Sequence, residues 1–228
     1  MRTAKDIYGG TNPIDLPAYT AAATAHHLRL PEPTVRYWAF GRDHTKSVIV
    51  AADPESRLLS FRNLVELHVL SVVRREHRVA LKQIRNAVEY LAHEFDSPHP
   101  LSDEHMLTDG KSLFIKRFEK LINASRHGQL AVEKLIEAHL QRIERDDLKQ
   151  PRRLFPFTRD AYGGPCFVAI DPRVQFGRPC IAGSGVPTDI VAQRFKAGDS
   201  MLKLSEDYRR KIDEVEEAIR YETELKAA

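Results

Sequence analysis

The stretch from Phe167 to Glu224 limits what this chain can fold into more than any other, because its backbone has little freedom. Between Gly177 and Pro187, three glycines and two prolines fall within eleven residues: Gly177-Arg-Pro179-Cys180-Ile181-Ala-Gly183-Ser184-Gly185-Val186-Pro187. Glycine tolerates positive φ, and proline locks φ while donating no hydrogen bond, so this text specifies turns and short extended pieces. After Pro187 the pattern becomes helical, with Thr188 as the expected N-cap of a helix over about Asp189 to Ala197 that buries Ile190, Val191 and Phe195. Gly198-Asp199-Ser200 stops that helix and caps the next, in which Leu202, Leu204 and Tyr208 are apolar. A third helix follows from about Asp213, with Val215, Ala218 and Ile219 on its stripe.

The N-terminal part is also punctuated. Residues 1–17 are broken by Gly9, Gly10, Pro13 and Pro17 and read as a loose arm. Thr20 can cap a helix over Ala21–Leu28, whose small residues allow close packing. Arg29-Leu30-Pro31 turns, and Pro33 suits the start of a second helix, where its missing N–H is not needed. Thr34-Val35-Arg36-Tyr37-Trp38 follows and ends at Gly41. Two short helices joined by a tight apolar turn are what a helix-turn-helix requires. The second helix offers Thr34, Arg36 and Tyr37 to a groove while Val35 and Trp38 anchor it, and Arg42 and Lys46 are placed for phosphates. The bland alternative is a small helical domain in which Arg36 is only part of a solvated face. Ser47–Ala51 and Leu58–Phe61, around Asp53-Pro54, read as a hairpin wing.

Between these ends the chain is mainly helical in pattern. Residues 62–76 carry so many apolar positions that burial on more than one side is expected, and Val79–His93 has helical spacing. Leu113–Ile115 and Phe118–Ile122 fit either a strand pair or one helix. Leu130–Arg145 is helical, with a narrow seam through Val132, Leu135, Ile136, His139, Leu140 and Ile143 that suits core or self-pairing. Asp146-Asp147 and Gln150–Arg153 read as a polar, proline-broken linker. Leu154–Phe157 can add to the first domain as a strand, and Tyr162–Pro165 reads as a turn.

Two resemblances follow from these residues. Asp171, Pro172, Gly177, Pro179, Gly183, Pro187, Gly198, Tyr208 and Ala218 sit in the register of a small bacterial family first catalogued as a domain of unknown function and related to homeodomain-like folds. The usual Thr-Arg after Gly183 is Ser184-Gly185 here, and the usual proline after Tyr208 is Arg209. Residues 18–75, with the Thr34–Trp38 run, look like the winged helix-turn-helix of the MerR type. The pair together resembles a VapB-type antitoxin of the long, two-domain kind.

The resemblance implies a mainly α chain: an N-terminal winged helix-turn-helix with helical extension and short β-hairpins over 18–150, and a C-terminal three-helix homeodomain-like module over 166–228. It implies an antitoxin of a type II toxin–antitoxin system that neutralises a PIN-like ribonuclease toxin and binds its own promoter DNA as a homodimer. Toxin contact is expected at Arg178 and on the helices carrying Phe195, Leu204 and Tyr208, with Glu214, Glu216 and Glu217 answering a basic toxin surface. A stand-alone MerR-like transcriptional regulator is the alternative reading.

Charge and cysteine usage agree with this picture. The net charge of +3 is distributed as +2 over residues 1–50, zero over 51–100 and 101–150, +3 over 151–200 and −2 over 201–228. That is a weak nucleic-acid footprint, compatible with a dimer pooling two modest patches. No apolar run approaches the ~18 residues of a membrane span, and a cytoplasmic protein is the simplest expectation. Cys166 and Cys180 form no redox motif, and Gly163-Gly164 is followed by no Lys-Ser/Thr. His93, His99 and His105 recur six apart, a spacing that fits neither one helix face nor a finger. No catalytic residue, cofactor or metal is therefore expected.

Overall fold

The computed structural model describes residues 8–42, 44–76, 81–107, 110–114, 126–158 and 164–223. Helix α1 (Ala21–Leu28) begins where Thr20 Oγ1 accepts from Ala23 N at 3.1 Å and ends at Arg29, which turns left-handed with φ 52°. Helix α2 (Glu32–Phe40) starts behind Pro31, and Gly41 stops it with N–H to Tyr37 O at 3.0 Å. The two helices pack on each other, as alanines at 21 and 25 and the buried Val35 and Trp38 allow.

The expected wing is reduced to a single pair. Among the described residues no strand lies between 47 and 61. Asp53 and Leu58 exchange backbone hydrogen bonds at 3.1 and 2.9 Å, and Leu59 pairs instead with Tyr19. The physical reason is competition for donors and acceptors. Val48 N bonds Trp38 O at 2.7 Å, while the Asn63 side chain takes Val50 O at 2.7 Å and Ala52 N at 2.9 Å. Asn63 also accepts from Ser60 N and is fully buried, so it ties this segment to the next helix. Asn63→Ala is expected to cost about 2 kcal/mol, since it orphans the buried Ser60 N–H and removes the bonds to Val50 O and Ala52 N. A urea midpoint unchanged from wild type would refute that role.

Helix α3 (Phe61–Glu76) is buried on nearly every side over residues 61–72, with Leu64, Val65, Leu67, Val69 and Leu70 at 0% exposure, as its sequence suggested. Helix α4 (Leu81–Glu94) buries only Ile84, Ala87, Val88 and Leu91. Residues 110–114 are helical, which decides 113–114 against a strand; Phe118–Ile122 lies outside the described residues. Helix α5 (Arg126–Leu140) packs on α3.

The stretch that reads as a helix end and a linker is a hairpin. Strands β1 (Ile143–Arg145) and β2 (Pro151–Leu154) pair antiparallel, with Ile143 opposite Leu154. Asp146 makes the turn: its Oδ1 accepts from Leu148 N and Gln150 N, each at 3.0 Å, while Lys149 adopts φ 61°. An aspartate capping its own turn explains why an acidic, proline-containing text closes instead of trailing. Leu154 then exchanges backbone bonds with Ile170 at 3.0 and 2.8 Å, beside a second hairpin of β3 (Val168–Ala169) and β4 (Cys180–Ile181).

Helices α6 (Thr188–Lys196), α7 (Met201–Tyr208) and α8 (Ile212–Thr223) complete the chain. Ser200 caps α7 by accepting from Lys203 N at 3.2 Å. Thr188 is the first residue of α6 rather than its cap: it is fully buried, and its hydroxyl donates to Glu222 Oε1 at 2.5 Å. One apolar cluster runs from Ile14 to Ile170, and a second unites Ile181, Val191, Leu204, Val215, Ala218 and Ile219.

Candidate functional site

Two groups of residues carry the functional expectations, and the fold joins them through a buried polar junction. On α2, Arg36 reaches solvent and is held by Glu32 four residues earlier, with Nη2 2.6 Å from Oε1. Tyr37 is half-buried, and Arg42 and Lys46 are exposed on the segment after Gly41. Thr34 is different. It is buried at 6% exposure, on the side of α2 that carries Val35 and Trp38, so it packs inward and cannot be offered to a groove. The Arg36–Glu32 pair is an exposed i,i+4 contact, worth only about 0.3–0.5 kcal/mol, and a phosphate or base edge can displace it.

In the C-terminal module, Arg178 projects to solvent and pairs with Asp189 at 2.6 Å. Tyr208 is half-buried beneath the Arg194 guanidinium, 5.3 Å from its ring centre, and Arg194 is also tied to Asp199 and Asp207. Leu204 is at 0% exposure and belongs to the core, so it cannot touch a partner. Ile190 and Phe195, read as buried, are exposed at 37% and 36%, and Leu202 at 58%. Helix α6 buries Val191 as expected, together with Thr188 and Ala192. Apolar periodicity marks a stripe without saying which of two adjacent stripes meets the core, so only packing could decide this. Glu214 and Glu216 pair with Arg210 and Arg220, while Glu217 is buried and accepts from the Thr158 hydroxyl.

The junction between the modules was not legible in the sequence. Tyr19, directly ahead of the α1 cap, donates from Oη to Gly177 O at 3.1 Å, and Tyr8 Oη donates to Pro172 O at 3.3 Å. His27 Nδ1 lies 2.9 Å from Tyr221 Oη, the rings stacked at 15°. His26 lies 3.5 Å from Glu222. Burial, and then the neighbouring His26, push the His27 imidazole down to about 3, so it is neutral in the folded chain. Burial raises Tyr221 and Tyr19, so both stay protonated phenols. Burial alone would raise Glu222, but hydrogen bonds from His26 and Thr188 hold it below its ordinary value.

Beside the Gly183–Gly185 turn, Arg153, Asp171, Cys180 and Ser184 line a cleft of about 350 Å³. Arg153, from β2, sits there 3.7 Å from Asp171 Oδ2 and 3.0 Å from Glu144 Oε2. The three spaced histidines have separate surroundings. His99 bonds Glu66, His105 stacks on Phe95, and His93 lies exposed in the last turn of α4. Among the described residues no three His, Cys, Asp or Glu come together as a metal site. No helix among them is long and apolar enough to cross a membrane.

Comparison with known proteins places these features in context. The family described as Protein of unknown function (DUF433) matches residues 168–221. The candidate antitoxin VapB45 of Mycobacterium tuberculosis (strain ATCC 25618 / H37Rv) is 27% identical over 229 residues, spanning 90% of this chain and 93% of that protein. The crystal structure of Rv2018 from Mycobacterium tuberculosis is 26% identical, with a TM-score of 0.70 over 90% of this chain and 99% of that one. The family match is confined to residues 168–221, whereas the other two likenesses each cover 90% of the chain.

Proposed function

We propose that this chain is the antitoxin of a type II toxin–antitoxin pair. In this reading residues 166–228 bind and mask a PIN-like ribonuclease toxin. Residues 18–150 seat a homodimer on the operon's promoter as a winged helix-turn-helix and repress it. The observation that carries the reading is the likeness to candidate antitoxin VapB45, which covers 90% of this chain rather than one module. Arg36 reads base edges from α2, Tyr37 flanks it, and Arg42 and Lys46 take phosphates, so affinity falls steeply as salt rises.

The toxin-facing surface is formed by the exposed Ile190, Phe195 and Leu202. Apolar side chains that stand in solvent gain by being covered, and an aromatic one such as Phe195 suits the centre of a protein interface. The nuclease's metal-binding acids belong to the partner, and this chain only covers them.

Co-expression with the protein encoded by the adjacent gene tests the reading. The partner alone should arrest growth, and the pair should grow and co-purify. A neighbour that is neither toxic nor retained on this chain would end the antitoxin reading. Within the complex, Leu202→Asp is expected to weaken toxin binding by at least tenfold while leaving the melting temperature unchanged, because Leu202 is 58% exposed. Retention of full affinity in a binding titration would move the interface elsewhere.

A further inference from the structure

The turn between β3 and β4 is conformationally costly. Gln175, Phe176 and Gly177 follow one another at φ 49°, 54° and 79°. Glycine enters this region freely, but a side chain there is strained, and a bulky ring is a genuine outlier. The conformation is enforced from behind. Val174 N bonds Asp171 O at 2.9 Å, Gly177 N bonds Val174 O at 3.0 Å, and Tyr19 holds the Gly177 carbonyl. The outcome is that Phe176 stands 74% exposed. An aromatic ring gains by leaving water, so a turn that accepts strain to present one serves something outside the chain.

The surroundings indicate what that is. Arg173 and Arg178 lie three and two residues from Phe176 in the chain, both exposed, and residues 173–178 contain no acid. Their carboxylate contacts, Asp146 at 4.0 Å and Asp189 at 2.6 Å, are solvent-facing pairs that a phosphate can replace. The turn is tied by Tyr19 to the entrance of α1. In a helix-turn-helix the first helix crosses the sugar-phosphate backbone while the second enters the groove. The Tyr19–Gly177 bond fastens this basic, aromatic turn to the start of that first helix.

We infer that the Arg173–Arg178 turn is a second contact to duplex DNA, in which Phe176 wedges against a base step and the two arginines take the flanking phosphates. This rests on the reading that α1 and α2 seat on DNA. It also makes the C-terminal module a direct part of the DNA interface.

The test uses the full chain and a duplex covering the region upstream of its operon, titrated by fluorescence anisotropy over a range of salt. Wild type is compared with Phe176→Gly, with Arg173→Ala/Arg178→Ala, and with Arg36→Ala. Phe176→Gly relaxes the positive φ, so it should melt at or above wild type yet bind DNA roughly tenfold more weakly. The arginine pair should reduce the slope of log affinity against log salt by about 2. If Arg36→Ala loses binding while the Phe176 and arginine variants match wild type, the turn is not a DNA contact, although the helix pair is. If wild type binds no duplex at any salt, both claims fall together. Loss of toxin co-purification with intact DNA binding would reassign the turn to the protein partner and overturn the inference. Should Phe176→Gly melt lower than wild type, the salt slope of the arginine pair decides: a reduced slope supports the contact and an unchanged one removes it.

Discussion

Acidification from pH 7 to 4.5 is expected to cost the folded chain about 3 kcal/mol through His27 alone. His27 is held near 3 in the folded state, against an ordinary value of 6.5. Below 6.5 the unfolded chain therefore binds a proton that the folded chain refuses, so stability rises with pH across this window. The contribution is complete above 6.5 and is lost as pH falls toward 3. The cause is geometric: the ring is enclosed by Tyr19, His26 and Tyr221, with Glu222 the nearby acid and Arg29 close enough to influence Tyr221. Glu222, held below its ordinary value, adds an acid loss of the same sign at lower pH. His27→Gln keeps a polar partner near Tyr221 Oη but cannot titrate. Urea unfolding followed between pH 7 and 4.5 should give a flatter acid limb for His27→Gln. Parallel curves for the two proteins would show that His27 charges freely and that the junction is open.

Gly177→Ala is expected to destabilise the chain by about 3 kcal/mol. Two separate obstacles meet at this position. Its φ is 79°, where alanine is strained, and an added Cβ would lie 2.1 Å from Tyr19 Oη and 3.0 Å from Cζ. Tyr19 is 5% exposed and cannot swing into water without vacating the junction, so the Oη to Gly177 O bond is lost inside the protein. Gly183 is the internal control. It has φ 71° but nothing within 4 Å of a Cβ, so Gly183→Ala should show only the backbone penalty of about 1 kcal/mol. Equal losses in the two variants, measured by chemical denaturation, would mean that the Tyr19 contact contributes nothing. The contrast also separates two reasons for a glycine that look identical in sequence: Gly183 has room for a side chain, and Gly177 has none.

Much of the local structure was legible because the responsible chemistry is local. Thr20 and Ser200 cap α1 and α7 through bonds to residues three along, and Gly41 stops α2, as their types and spacing require. The near-complete burial of α3 over residues 61–72 follows from apolar residues on most of its sides. Where local text is ambiguous, contacts from elsewhere in the chain decide the outcome. Residues 143–153 look like a helix end and a linker, yet the Asp146 carboxylate closes a hairpin there. The wing is reduced because its backbone groups are claimed by Trp38 and Asn63.

The candidate surfaces divide in the same way. Arg36, Tyr37, Arg42, Lys46 and Arg178 stand at or near the surface, whereas Thr34 and Leu204 are turned inward and Ile190 and Leu202 outward. Residue type cannot resolve those cases, because a short helix offers several possible apolar stripes and the neighbours select one.

By itself the amino-acid sequence determined the helical pair near the N-terminus, the glycine-proline turn of Gly177–Pro187 and the three closing helices, since caps, breakers and periodicity act over a few residues. Only the tertiary structure decided that Tyr19 would meet Gly177 and His27 would meet Tyr221, partners 158 and 194 residues apart. No short-range preference encodes such pairs. They form because the packing of the whole chain brings the segment around α1 against the Gly177 turn and the last helix, joining polar groups that neither side could satisfy alone.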